Sequence, residues 1–191
     1  MTRIGIYGGS FDPIHIGHLL VARAALEEMS LSRVIFVPAA RSPFKSDQEP
    51  ASAHLRLSML NIALSDVNNM EVSDWEITNG GLSFTINTVK YFRSSFPDSE
   101  IVYIIGADQC SSLHKWKSAD ELSKLVTFAI IPRPGVVETS LPPGCSGITL
   151  KGVPIDLSSS YIRKRTSLNL PIKWLVPKSV EDFIHTNNLY L

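Results

Sequence analysis

Two of the five histidines in this chain, His15 and His18, stand three residues apart in the stretch Gly8-Gly9-Ser10-Phe11-Asp12-Pro13-Ile14-His15-Ile16-Gly17-His18. Residues at i and i+3 share a helix face, so both imidazoles can address one ligand. Glycines let the backbone approach that ligand closely, and a helix N-terminus favours an anion such as phosphate. These residue types suit stabilisation of negative charge. The imidazoles, the Ser10 hydroxyl and the Gly9 amide are donors that can meet charge building on phosphate oxygens. Alignment for in-line attack needs no covalent nucleophile, and the chain shows no obvious one. The loop is expected to bind nucleotide phosphates.

The elements around it must hold it in place. Ile4-Gly5-Ile6-Tyr7 is a short apolar run before the loop, and Leu19, Leu20, Ala22, Leu26 and Met29 recur at helical spacing after it. The order is strand, glycine-bearing loop, helix, with the helix over about 16–30. Further on, Arg33–Pro38 reads as a buried strand, 39–50 as a long loop of functional length, His54–Leu64 as a helix with Leu55, Met59, Ile62 and Ala63 on one face, and Met70–Ile77 as an alternating strand. Thr85–Phe96 reads as a helix and Ile101–Ile105 as the most continuous apolar strand. One or two short helices follow over Asp108–Leu125, with Leu113, Trp116, Leu122 and Leu125 as buried positions. Val126–Ile131 and Ile148–Leu150 are strands, 136–147 is loop, and Ser158–Arg165 and Lys178–His185 are helices, the second with Pro177 in its first turn.

Strands alternating with helices indicate a parallel sheet with right-handed crossovers, an α/β doubly wound, Rossmann-like arrangement. Ligands bind such sheets beyond the carboxyl ends of the strands. Gly8, Pro38, Gly106 and Pro132 all follow strand ends, so their loops should converge there. Neither G-x-G-x-x-G nor G-x-x-x-x-G-K-[ST] is present, which disfavours an ordinary dinucleotide dehydrogenase or P-loop NTPase.

The chain has 191 residues, 44% hydrophobic and 19% charged, with 18 basic and 18 acidic residues. That suffices for one well-cored domain over 1–191, its C-terminal part helical from about 157. Zero net charge argues against a bulk nucleic-acid or anionic-membrane partner. Cys110 and Cys145 are far apart and outside any C-x-x-C spacing, and His54, His114 and His185 have no partner spacing, so no protein-held metal is expected. No signal-peptide pattern or membrane-length apolar run is seen, so the expected location is the cytoplasm. Assembly as a homo-oligomer is left open.

The H-x-G-H tetrad, in its G-G-S-F-D-P setting between strand and helix, resembles the signature of the nucleotidyltransferase superfamily that bears that motif. The resemblance implies a Rossmann-like fold, transfer of a nucleotidyl group from a nucleoside triphosphate to a phosphate, and release of pyrophosphate. It makes His15 and His18 catalytic and places Gly8, Gly9, Ser10 and Phe11 at the ATP. Leu157-Ser158-Ser159-Ser160-Tyr161-Ile162-Arg163 resembles the superfamily's I-S-S-T-x-[IV]-R motif. Leu157 and Ser160 are its departures, and it assigns Ser159, Ser160 and the catalytic Arg163 to the β- and γ-phosphates. Mg²⁺ would enter bound to ATP phosphates, keeping several waters.

Three further segments resemble nicotinate-nucleotide adenylyltransferases. Gly106-Ala107-Asp108 with Trp116 and Glu121-Leu122 is similar to G-A-D…W-x-x-x-x-E-L; it implies that Gly106 and Asp108 contact the nucleotide and that Trp116 stacks on the pyridine ring. Leu82–Thr88 is similar to S-Y-T-x-D-T, with Phe84 and Asn87 in place of Tyr and Asp, and brings Phe84 and Thr85 to the acceptor. Ser42-Pro43-Phe44-Lys45 is similar to P-P-H-K, with Phe44 for His and Lys45 facing phosphate; Arg133 also follows a strand end within reach of phosphate. The implied reaction joins the AMP of ATP to nicotinate mononucleotide, giving deamido-NAD. Nicotinamide mononucleotide and pantetheine phosphate are alternative acceptors, the latter disfavoured by the G-A-D…W segment. A nucleotide-binding regulator is the alternative outside enzymes, disfavoured by the presence of His15, His18 and Arg163.

Overall fold

The computed structural model describes residues 2–41, 51–133, 135, 141–152 and 155–191. Six parallel strands form one sheet in the order β3-β2-β1-β4-β5-β6: β1 (Thr2–Gly9), β2 (Arg33–Pro38), β3 (Met70–Val72), β4 (Ser99–Gly106), β5 (Thr127–Ile131) and β6 (Ser146–Thr149). This is the doubly wound order, and the strand sequence reverses between β1 and β4. The α/β, Rossmann-like expectation holds.

Side chains alternate across the strands and divide the core in two. On one face Val34, Phe36, Val102, Ile104 and Ala129 pack with residues of α1 (Ile16–Glu28), α2 (Ala53–Leu64), α7 (Ser159–Ser167) and α8 (Lys178–Thr186). On the other, Ile4, Ile6, Ile35, Ile101, Tyr103 and Ile105 pack with α4 (Thr85–Ser95) and α6 (Ala119–Leu125). The C-terminal helices close the first layer: Ile162, Ile172, Val176, Val180 and Ile184 are all buried there.

Several local expectations change. The strand over 70–77 stops at Val72; α3 (Trp75–Asn79) follows it. The Ser73 hydroxyl accepts from the Trp75 amide, Trp75 stacks on Tyr91, and Glu76 turns inward to meet Thr88. These contacts reward a helical turn over an extended one. The buried face of α2 is Arg56, Met59, Leu60 and Leu64, not the face through Leu55 and Ile62. The stretch over 108–125 divides into α5 (Ala107–Cys110), a 3-10 turn (Leu113–Lys115) and α6, with Leu113 and Leu122 buried and Trp116 and Leu125 half-buried. The last strand begins at Ser146, within the expected loop, and Pro177 caps α8 from outside it.

Candidate active site

The crevice opens where β1 and β4 part, beyond Gly9 and Gly106. Gly8, beside Gly9, is held to glycine by proximity: a Cβ there would overlap the Tyr103 hydroxyl of β4. The chain then turns through Ser10, Phe11 (φ 48°) and Asp12 into α1. Phe11 is buried, with its ring edge-on to Tyr7 and to His18, at centroid distances of 5.4 and 5.0 Å. Its side chain thus builds the floor under the loop, while its backbone shapes the loop itself.

His15 caps α1 and His18 lies at its third position, so the rings stack with centroids 3.6 Å apart. A side chain at Gly17 would crowd this pair, since a Cβ would stand 3.0 Å from His15 Nδ1. The His15 amide donates to His18 Nδ1 at 3.2 Å, so a neutral His18 carries its proton on Nε2. Burial, reinforced by the charge of Arg133, pushes His15 down to about 4, so it is neutral at neutral pH. His15 Nδ1 is buried and has no hydrogen-bond partner among the described residues. It lies on the inner side of the turn, where the His15 side chain and the His18 amide form one half of a capping box.

The helix terminus is less open than its sequence suggests. The Ile16 amide donates to Leu175 O at 3.0 Å and the His18 amide to His15 O at 2.9 Å. A segment from far along the chain thus occupies part of the donor set expected to face phosphate. The imidazoles are correspondingly more important.

The second wall docks on the same loop. Ser158 caps α7 by accepting from the Tyr161 amide. Ser159 Oγ donates to Pro13 O at 2.9 Å, and Arg163 donates to Asp12 O at 2.8 Å and to Ser160 Oγ at 3.2 Å. Ser159 and Arg163 therefore hold the backbone of the histidine loop, and Ser160 is tied to it through Arg163.

On the far side of the crevice Gly106 caps α5 with extended backbone. Asp108 pairs with Arg133 at 2.9 Å, both exposed at the rim. Their expected roles were separate; the fold makes them one ion pair, close enough for Arg133 to bear on His15. Thr85 Oγ1 meets Tyr103 Oη at 3.3 Å, and Trp116 stands edge-on to the Tyr103 ring at 6.2 Å. Phe84 is half-buried beneath Lys117 Nζ, 4.3 Å from its ring centre. Lys45 lies outside the described residues.

Several residues of this site were not singled out from sequence. Tyr103 touches both sides, bringing its hydroxyl to Gly8 and Thr85. Asp12 is buried and accepts from Tyr190 Oη at 2.7 Å and the Ala51 amide at 3.2 Å, with Arg163 Nη1 3.7 Å from its carboxylate. Arg56 had a legible trace, for it stands three and four residues before Met59 and Leu60 on the buried face of α2.

A cytidylyltransferase-like family model matches residues 6–165. A probable nicotinate-nucleotide adenylyltransferase of Methylacidiphilum infernorum is 39% identical over 193 residues, covering 99% of this chain and 92% of its own length. One of Opitutus terrae is 40% identical over 190 residues, covering 98% and 97%. The chain belongs to the nicotinate-nucleotide adenylyltransferase family. Its fold also matches the Plasmodium falciparum nicotinic acid mononucleotide adenylyltransferase complexed with NaAD, with a TM-score of 0.82 at 22% identity over 100% of this chain and 98% of that one. Family membership accords with the parts described: a histidine pair at the start of α1, a capped serine–arginine helix docked on its loop, and an aromatic group around Tyr103.

Proposed function

We propose that this enzyme transfers the AMP moiety of ATP to nicotinate mononucleotide, giving deamido-NAD and pyrophosphate. The observation that carries the reading is the stacked His15–His18 pair at the switch point of a sheet belonging to this family. A phosphate oxygen of the mononucleotide attacks the α-phosphorus of ATP in line. The bond from that phosphorus to the bridging oxygen breaks, and the bridging oxygen leaves with pyrophosphate. Charge grows on the equatorial and bridging oxygens, and donors placed beforehand lower the barrier most. His18 donates from Nε2, the proton position fixed by the His15 amide at Nδ1. His15 reaches the same phosphates; their charge favours its protonated form.

Ser159, Ser160 and Arg163 form the β,γ-phosphate wall; at the start of the reaction their present bonds to Pro13, Asp12 and one another hold the loop. Gly8, Gly9 and Ser10 carry the triphosphate, and Gly106 and Asp108 the nucleoside. Trp116 stacks on the pyridine ring, with Phe84, Thr85, Lys45 and Arg133 on the acceptor. ATP brings Mg²⁺, which neutralises triphosphate charge when bound. Among the described residues no group of three His, Cys, Asp or Glu could hold such a cation; phosphate oxygens and water are its ligands in this proposal. The chain acts as one domain in the cytoplasm; among the described residues no helix is long and apolar enough to cross a membrane.

The test is pyrophosphate release from ATP-Mg²⁺ with nicotinate mononucleotide, nicotinamide mononucleotide and pantetheine phosphate offered separately. The expected result is the highest kcat/KM with nicotinate mononucleotide. Preference for another acceptor reassigns the substrate, and no turnover with any overturns the enzyme reading.

A further inference from the structure

We propose that Arg56 is a positioning residue for the reaction, setting the spacing between the ATP loop and the acceptor segment. This rests on the function proposed above. In-line attack demands that two substrates bound by different loops meet within about 3–3.5 Å, and a misplacement of about 1 Å can cost on the order of 100-fold in rate. The β1–β2 ladder that aligns those loops ends at the pair Gly9–Pro38, followed by one more bond from the Ala39 amide to Gly9 O at 2.8 Å. No further β1–β2 pair follows among the described residues.

Arg56 takes over there. It is 2% exposed, and it donates to Ser10 O at 2.8 Å, Ala39 O at 2.7 Å, Ala40 O at 3.4 Å and Ala51 O at 3.0 Å. Its hydrogen bonds among the described residues thus all go to main-chain carbonyls. Those carbonyls belong to the ATP loop, the end of β2 and the approach to α2. From Ala40 the path continues without a break. The Ala40 amide donates to Ser83 Oγ at 2.9 Å, the Ser83 amide donates to Arg41 O at 2.9 Å, and the Ser83 and Thr88 hydroxyls meet the buried Glu76 carboxylate. Ser83 lies beside Phe84 and Thr85, so a chain of hydrogen bonds links Ser10 to the acceptor segment.

The geometry asks for a guanidinium. A planar fork of five N–H donors spans carbonyls on three segments, whereas an ammonium offers three donors from a single point. The Asp12 carboxylate faces this charge and is itself held by Tyr190, the Ala51 amide and Arg163.

The experiment compares R56K with the parent full-length enzyme, measuring thermal unfolding, kcat and both KM values well below the unfolding transition. R56K is expected to keep each KM within about threefold while kcat falls on the order of 100-fold. In R56A, millimolar methylguanidinium should restore part of kcat where methylammonium does not. A lowered melting temperature with parent kcat per folded R56K molecule would mean a structural role only and overturn the proposal. Should R56K not fold, S83A decides: it cuts the next link, and a parent kcat there overturns the proposal, whereas a tenfold or greater fall upholds it. If the parent itself releases no pyrophosphate, it is the proposed function that fails.

Discussion

The two sides of the crevice are built differently. The histidine loop of the ATP side is one continuous segment, residues 8–18, whose functional groups are set by local spacing: cap, third helical position, stacked rings. The acceptor side is assembled from α4, β4 and the turn before α6, whose members meet at Tyr103 and where Lys117 lies over Phe84. The first is held from outside by main-chain bonds with α7 and with Leu175. The second is held from beneath by buried polar groups, Glu76 and Thr88 among them. A contiguous segment keeps its geometry through short covalent paths. A site assembled from separate segments relies on packing and on satisfied buried hydrogen bonds, whose loss leaves unpaired groups.

The contrast is tested most severely at His18. H18A should lower kcat by about 10³-fold, the scale of losing one transition-state donor, while the KM for ATP changes little. Equal losses in both would make His18 a ground-state ligand instead.

A second test separates the loop from the rest by pH. His15 is held at about 4 in the fold against 6.5 in an exposed chain. Between those values the unfolded chain binds the extra proton, so stability rises with pH there. This contribution is complete above about 6.5 and is lost as pH falls toward 4. Unfolding free energy should therefore drop between pH 7 and pH 5 by about 2 kcal/mol more in the parent than in H15N. Parallel pH profiles would show that His15 is not held neutral.

On the acceptor side, W116A should raise the acceptor KM about fivefold and leave that for ATP unchanged, as expected for loss of one aromatic stack worth about 1 kcal/mol. An unchanged acceptor KM would leave Trp116 as a packing residue beside Tyr103. The smallest effect belongs to Y103F, which removes one hydroxyl bonded to Thr85. A rise of about threefold in acceptor KM corresponds to one hydrogen bond of modest net worth. Because the same hydroxyl approaches Gly8, a matching rise in the ATP KM would show the two sides to be coupled through it.

The parallel sheet, the order of its elements and the histidine loop were legible because alternation, apolar runs and strand-end glycines are local. Errors fell where tertiary contacts outweigh local pattern. Met70–Ile77 alternates like a strand, yet stacking of Trp75 on Tyr91 and the inward turn of Glu76 favour a helix. In α2 the apolar spacing pointed to a face through Leu55, Met59, Ile62 and Ala63, whereas carbonyls from three segments make a buried arginine favourable. Asp108 and Arg133, from different loops, proved to be one pair.

By itself the sequence determined the chemistry on offer: two imidazoles one helical turn apart, a glycine-bearing strand exit, and a serine cap with an arginine one turn on. Spacing along a helix or strand is a property of neighbours and needs nothing else. Tertiary structure decided which donors remain available and what holds them: Leu175 covers an amide at the start of α1, Asp12 joins the C-terminal tail to the loop, and Arg56 continues the β1–β2 register past its last pair. Those are contacts between residues tens to more than a hundred positions apart. They follow from how the layers stack, and no local pattern encodes them.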